Sequence, residues 1–221
     1  MDALLQQFFN LDIVAKAYPL VLNGLAMTLL ICVIVIPMGL IGGVLVAAGQ
    51  LSGSALLRWS LRRFTDLFRA LPPLVLLILI YSGLPFIGVR LSPLSAVAIA
   101  FLLNNAAYYG EIYRAGIESV PRGQWEAARS TGLGSTQTFF WVILPQGARN
   151  VLPDLVSNTV EVVKLTSLAS VVSLPEMLYS ADMARSVTFN TSPLVLAAGI
   201  YLLLLWPAVR LVSRLEHVAG R

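Results

Sequence analysis

The stretch Pro121 to Pro145, PRGQWEAARSTGLGSTQTFFWVILP, is a polar interruption in a chain that is otherwise strongly apolar. Pro121 suits the first helical turn, where its missing N–H costs nothing, and Gly132 with Gly134 supplies the backbone freedom that ends a helix. The pattern predicts a short helix over Arg122 to Thr131. Ser135 then caps a second helix, whose run Phe139 to Leu144 heads back into apolar surroundings until Pro145 interrupts it. A short charged helix held between two membrane segments has no face for lipid. It reads either as a handle gripped by a soluble partner or as an ordinary cytoplasmic loop.

The remainder of the 221 residues explains why this interruption stands out. Hydrophobic residues make up 57% and charged residues 12%, against about 25% charged in soluble domains. Such a chain is an all-α integral membrane protein, a single domain whose apolar surface is buried by the bilayer. The single cysteine, Cys32, sits inside an apolar run, so a disulfide framework or a thiolate metal site within the chain is excluded. The net charge of +4 does not point to nucleic acid, because the basic residues flank membrane segments instead of forming a patch.

Residues 1 to 18 interleave Leu4, Leu5, Phe8, Phe9 and Ile13 with Gln6, Gln7, Asp12 and Lys16, the pattern of an interfacial helix. The acidic start at Asp2 argues against a cleaved signal peptide. Five transmembrane helices follow: Leu20 to Gly49, Phe64 to Ile87 with a kink at Pro72 and Pro73, Pro93 to Ile117, Pro145 to Val172, and Ser192 to Val212. The glycines at 39, 42 and 43 suit close helix packing. Gln50 to Arg63 reads as a loop and Pro175 to Thr191 as a polar segment. Arg58, Arg62, Arg63, Arg122, Arg129, Arg214 and Arg221 flank one side of the spans, and only Lys16, Arg90 and Arg185 the other. That bias places the N-terminus outside, the C-terminus inside, and the loop around Glu126 in the cytoplasm.

Polar residues inside spans cost several kcal/mol unless paired or facing a cavity. Asp154, Ser157, Asn158, Glu161 and Lys164 fall within an arc of about 120° on the fourth span, and Asn104, Tyr108 and Glu111 share a face of the third. Two readings stay open. Either the stripes line a translocation path, with Glu161 and Lys164 meeting the ammonium and carboxylate of a zwitterion, or Glu161 and Lys164 satisfy each other and the remainder glues helices together. Thr166 and Ser167 are further candidates, although hydroxyls there also bond to their own helix.

Enzyme chemistry finds no foothold. The two lysines, Lys16 and Lys164, lack the glycines of a phosphate-cradling loop, and the lone histidine, His217, sits in the tail without metal-ligating partners.

The run EAARSTG followed by VILP resembles the EAA loop of transmembrane subunits in bacterial ATP-binding cassette importers. Glu126, Ala127, Ala128, Gly132, Val142, Leu144 and Pro145 fall at its positions. YYGEIYRAGIESVPRGQWEAARSTGLG and KLTSLASVVSLPEML resemble the branch that imports polar amino acids and opines, and the likeness runs from about Asn23 to the C-terminus. The chain departs from the family at Arg69, Ala70, Leu71, Pro72 and Pro73, where members commonly carry glycine-threonine-proline after the arginine.

The resemblance implies a multi-pass permease of the bacterial inner membrane, with Glu126, Ala127, Ala128 and Gly132 engaging two ATP-binding cassette ATPase subunits. It also implies a second permease copy or paralogue, an extracytoplasmic solute-binding protein and an amino-acid substrate. ATP and magnesium would be bound by the ATPases and no cofactor by this chain. The alternative of another class is a self-sufficient carrier or channel driven by an ion gradient, with Glu161 or Glu111 carrying the proton.

Overall fold

A computed structural model describes residues 2–219, with side chains from 3 to 214; the side chains of Asp2, His217 and Arg221, named above, lie outside that range. Helices occur in the order α1 (Asp2–Phe8), α2 (Leu11–Gln50), α3 (Ala55–Ala70), α4 (Pro73–Ile78), α5 (Pro93–Glu118), α6 (Arg122–Ser130), α7 (Ser135–Thr138), α8 (Leu144–Leu165), α9 (Met177–Thr188) and α10 (Ser192–Ala219), and no strand occurs among the described residues.

Three stretches are long and apolar enough to cross a membrane: Ala3–Gln50, Ser135–Val172 and Ser192–Arg214. A fourth appears if Ala55–Ala70 and Pro73–Ile87, separated by a short break, count as one broken span. Helix α5 has the length, at 26 residues, but Asn104, Asn105, Glu111, Arg114 and Glu118 dilute its hydropathy and keep it out of that group.

Several boundaries differ from the pattern-based reading. The N-terminal segment is not one helix over 1 to 18. Asn10 ends α1 and starts α2, its Oδ1 accepting from the N–H groups of Asp12 and Ile13 at 3.1 and 3.2 Å. From there α2 runs unbroken for 40 residues. The loop expected to reach Arg63 is only four residues, because Ser54 caps α3 at once by accepting from Leu57 N–H. The segment after Pro175 contains a helix, α9, with Glu176 as its N-cap. Pro145 does not interrupt its helix. A wide turn over Phe139–Ile143 absorbs the missing N–H, and α8 begins at Leu144.

The chain forms two compact units. One holds the N-terminal part through Ile36 together with 72–101 and 160–209. Its core gathers Val21, Met177, Ala181 and Ala197, with Leu25, Ile200 and Tyr201 packed against them. The fully buried Glu176 carboxylate accepts from the N–H groups of Leu178 and Tyr179 at 2.9 and 2.7 Å, and Thr28 Oγ1 accepts from Met177 N–H at 3.1 Å. That satisfies three of the donors that a helix start leaves over. Helix α1 is tied to the turn before α10: Thr191 N–H donates to Gln7 O at 3.0 Å, and Asn190 Nδ2 to Gln6 O at 2.9 Å.

The other unit holds 37–71, 102–159 and the tail from Arg210. Here the glycine-rich end of α2 packs on α5 as the glycine pattern anticipated; a Cβ on Gly43 would fall 2.5 Å from Tyr109 Cβ. Gln50 Nε2 bridges to Thr65 Oγ1 at 2.7 Å. Helices α5 and α8 cross at Gly116 and Gly147, where a Cβ on Gly147 would sit 2.8 Å from the Gly116 carbonyl oxygen. Only glycine fits that crossing, because the obstacle is backbone and cannot rotate away.

This geometry predicts that Gly147→Val lowers stability by about 1–3 kcal/mol through overpacking. Gly53→Val, at a loop site with nothing within 4 Å of a new Cβ, should leave it unchanged. Thermal melting of both variants in one detergent checks the pair, and equal midpoints would contradict the crossing.

Candidate functional site

The polar interruption folds as a helix, a joint and a second helix. Helix α6 starts behind Pro121 and ends with Thr131 at its C-cap, one residue short of the expected bound. Gly132 follows with φ +90°, the left-handed conformation that terminates helices and that glycine adopts without penalty. The second helix is capped differently from the expectation. Gly134 occupies the N-cap, and its N–H donates to Gln137 Oε1 at 3.0 Å, while Ser135 is already in the first turn.

Helix α6 has a wet face and a packed one. Arg122, Gln124, Glu126, Ala127 and Arg129 are exposed, while Ala128 is buried and Trp125 half-buried. Trp125 packs on Phe139 with ring centroids 6.4 Å apart, and Gln146 Nε2 donates to Gln124 Oε1 at 3.4 Å. Of the four residues expected to meet a partner, Glu126 and Ala127 face out, Gly132 sets the joint, and Ala128 faces in. That split follows from helical periodicity, which cannot present three consecutive side chains on one face.

Helix α8 carries the principal stripe. Asp154 and Ser157 are exposed, and Asn158 is half-buried with its Nδ2 buried and unpartnered. Further along, Lys164 Nζ donates to Glu161 Oε1 at 2.6 Å, and the two side chains are 49% and 58% exposed. Lys164 also borders an apolar groove of about 690 Å³ along α10, with Tyr201, Leu202, Leu205 and Trp206. Sequence reading missed these α10 residues, since nothing in an apolar span marks which side faces a groove. Thr166 is fully buried and donates to Val163 O at 2.7 Å, and Ser167 donates to Lys164 O at 2.8 Å. Both hydroxyls serve their own backbone.

The α5 residues bond to neighbouring groups. Asn104 is buried and its Nδ2 donates to Phe68 O at 3.0 Å; the Tyr108 hydroxyl donates to Arg69 O at 3.4 Å. Glu111 holds Arg114 through two hydrogen bonds of 2.6 and 3.0 Å. Glu111 and Glu161, the carboxylates named above for a proton-coupled carrier, are both in ion pairs. Among the described residues no three His, Cys, Asp or Glu side chains come together as a metal-holding set.

Residues 39–217 match the family described as binding-protein-dependent transport system inner membrane component. The chain belongs to that family. It is 38% identical over 197 residues to the probable amino-acid ABC transporter permease protein YckA of Bacillus subtilis, covering 89% of this chain and 87% of that one. The L-cystine transport system permease protein TcyB of the same organism is 34% identical, covering 95% and 89%. The fold superposes on a solved structure entitled an amino acid ABC transporter with histidines, at TM-score 0.86 and 32% identity, over 92% of this chain and 96% of that one. A methionine ABC transporter, MetNI, in an inward-facing conformation shares the fold at TM-score 0.68 and 18% identity, over 91% and 94%. This inner membrane component is a transport subunit.

The Glu161 and Lys164 pair separates its two readings by a double-variant cycle. If Lys164 holds a substrate carboxylate, Lys164→Met lowers transport at least about tenfold, the worth of roughly 1.4 kcal/mol, and the double variant Glu161→Gln, Lys164→Met stays inactive though stable. If the residues only satisfy each other, Glu161→Gln alone destabilises the protein and the double variant regains both stability and transport. Transport and thermal melting of the three variants in proteoliposomes decide between them.

Proposed function

We propose that this chain is the membrane-spanning subunit of an ATP-binding cassette importer for polar amino acids or related compounds, working by alternating access with ATP hydrolysed on separate subunits. The observation that carries the reading is α6, a nine-residue helix with an exposed charged face, flanked by segments that return to the membrane. A carrier driven by an ion gradient has no need of such a helix, and the two carboxylates named for it, Glu111 and Glu161, are paired with cations. Two ATPase subunits would grip the Glu126 face, Gly132 would set its angle, and ATP and magnesium would be bound by those subunits. The relatives' names, which specify amino-acid or cystine transport, support the substrate class.

The α8 stripe supports a paired assembly. Alone in a bilayer, the exposed Glu161 and Lys164 would meet hydrocarbon at a cost of several kcal/mol. A second permease, identical or similar, would enclose them in a path that is wet and lined by protein, with Asn158 beside them. Lys164 and Glu161 would receive the two charges of an amino acid, and the Tyr201 and Trp206 groove would receive its carbon skeleton. Asn104, Tyr108, Thr166 and Ser167 would support that path through the helices they bond, without touching the solute. A soluble binding protein would deliver substrate from the outer side.

The arginine distribution further supports five spans, with α5 as the third, the N-terminus outside and the C-terminus and α6 in the cytoplasm.

Two experiments test these points. Glu126→Lys is expected to reduce uptake by about tenfold or more in proteoliposomes containing the co-expressed ATPase and binding protein, while the permease still inserts; wild-type uptake would refute the coupling role. In a Cys32→Ala background, a cysteine at Ala55 should resist an impermeant thiol reagent in intact cells and one at Phe189, which is 88% exposed, should react. The opposite labelling would invert the topology.

A further inference from the structure

The α5 stripe acts on a neighbouring backbone, and the reason lies in the sequence after α3. In a continuing α-helix the carbonyls of Phe68 and Arg69 would accept from the N–H groups four residues on, at positions 72 and 73. Both positions are proline, so two carbonyls are left over at the end of α3. Leu71 N–H makes the last bond of that helix, to Leu67 O at 3.0 Å. The next two acceptors receive side-chain donors from α5 in place of the absent N–H groups: Asn104 Nδ2 reaches Phe68 O at 3.0 Å and the Tyr108 hydroxyl reaches Arg69 O at 3.4 Å. The spacing is matched, since residues four apart on α5 meet carbonyls of adjacent residues on α3.

The contact continues as charge. The Arg69 guanidinium lies over the Tyr108 ring at 5.5 Å from its centroid and 3.8 Å from Glu111 Oε1. Glu111 holds Arg114, and Arg114 also holds Glu118, the last residue of α5. Asn104, Tyr108, Glu111, Arg114 and Glu118 are spaced by four, three, three and four residues, so they form one continuous line down a helix face. Three residues beyond Glu118 stands Pro121, the N-cap of α6. At that end Asn150 Nδ2 of α8 donates to Ser119 Oγ at 2.8 Å, next to the Gly116 and Gly147 crossing.

We propose that this line is a strut joining the proline-broken end of α3 to the coupling helix α6, with Asn104 and Tyr108 as positioning residues that stand in for the hydrogen bonds Pro72 and Pro73 cannot donate. The proposal rests on the reading of α6 as the coupling helix. A displacement of α6 by an ATPase is then passed to the break in the second span through α5, instead of being lost in a helix end with unsatisfied carbonyls.

The test places Asn104→Leu and Tyr108→Phe, singly, in the native permease and in a Pro72→Ala, Pro73→Ala background, each assembled with the ATPase and binding proteins in proteoliposomes. In the native background Asn104→Leu is expected to lower the melting midpoint by about 3 °C or more. In the alanine background, where the N–H groups are restored, it should cost less than half as much. Amino acid taken up per ATP hydrolysed should fall several-fold in the native background with the substrate KM unchanged. If Asn104→Leu does not assemble, Tyr108→Phe removes a single oxygen and is read by the same measures. Equal thermal costs in both backgrounds would overturn the capping, and wild-type uptake per ATP in a destabilised variant would overturn the strut. A raised KM at unchanged maximal rate would overturn both and return these residues to the solute path. Failure of the coupling reading itself shows elsewhere, as normal uptake by Glu126→Lys, and leaves the thermal comparison intact.

Discussion

A carbonyl oxygen or a charge inside hydrocarbon has no water to turn to, and each one left alone costs several kcal/mol. Most of the polar geometry in this protein can be traced to that constraint. The prolines at 72 and 73 end α3 and orphan two carbonyls, which Asn104 and Tyr108 take up. Thr166 and Ser167 spend their hydroxyls on Val163 O and Lys164 O. Glu111 is matched to Arg114, and Glu161 to Lys164. The Glu161 and Lys164 pair differs in being satisfied electrostatically but exposed in the single chain.

Close packing adds a second constraint. Helices α5 and α8 approach so closely at Gly116 and Gly147 that no side chain fits between them, and α6 is braced on that crossing by Trp125, Phe139 and the Gln146 to Gln124 bond. The backbone hydrogen-bond ladder is interrupted at Leu71 and Pro72, at the wide turn Phe139–Ile143 and at Gly132.

The polar interruption was legible in the sequence because its signals are local. Pro121 and Gly132 act through their own φ angles, and the helix between them ended within one residue of the expected place. The split of Glu126 and Ala127 outward from Ala128 inward follows from helical periodicity alone. Side-chain fates on α5 were not legible in this way. Asn104 and Tyr108 share a face with Glu111, and the sequence pattern is the same whether that face meets water, solute or another helix.

Composition and spacing by themselves determined that this is an all-helical membrane chain with a charged handle, a glycine joint after it and a polar stripe on α8. Those properties depend on hydropathy, on single-residue backbone preferences and on a period of 3.6 residues, all of which are written in consecutive letters. Only the tertiary structure decided which neighbours the polar residues meet. Asn104 meets a carbonyl 36 residues away, and the residue four places beyond that carbonyl is a proline with no N–H to give it. A hydrogen bond of that kind depends on two helices being brought side by side, and no local pattern records the meeting.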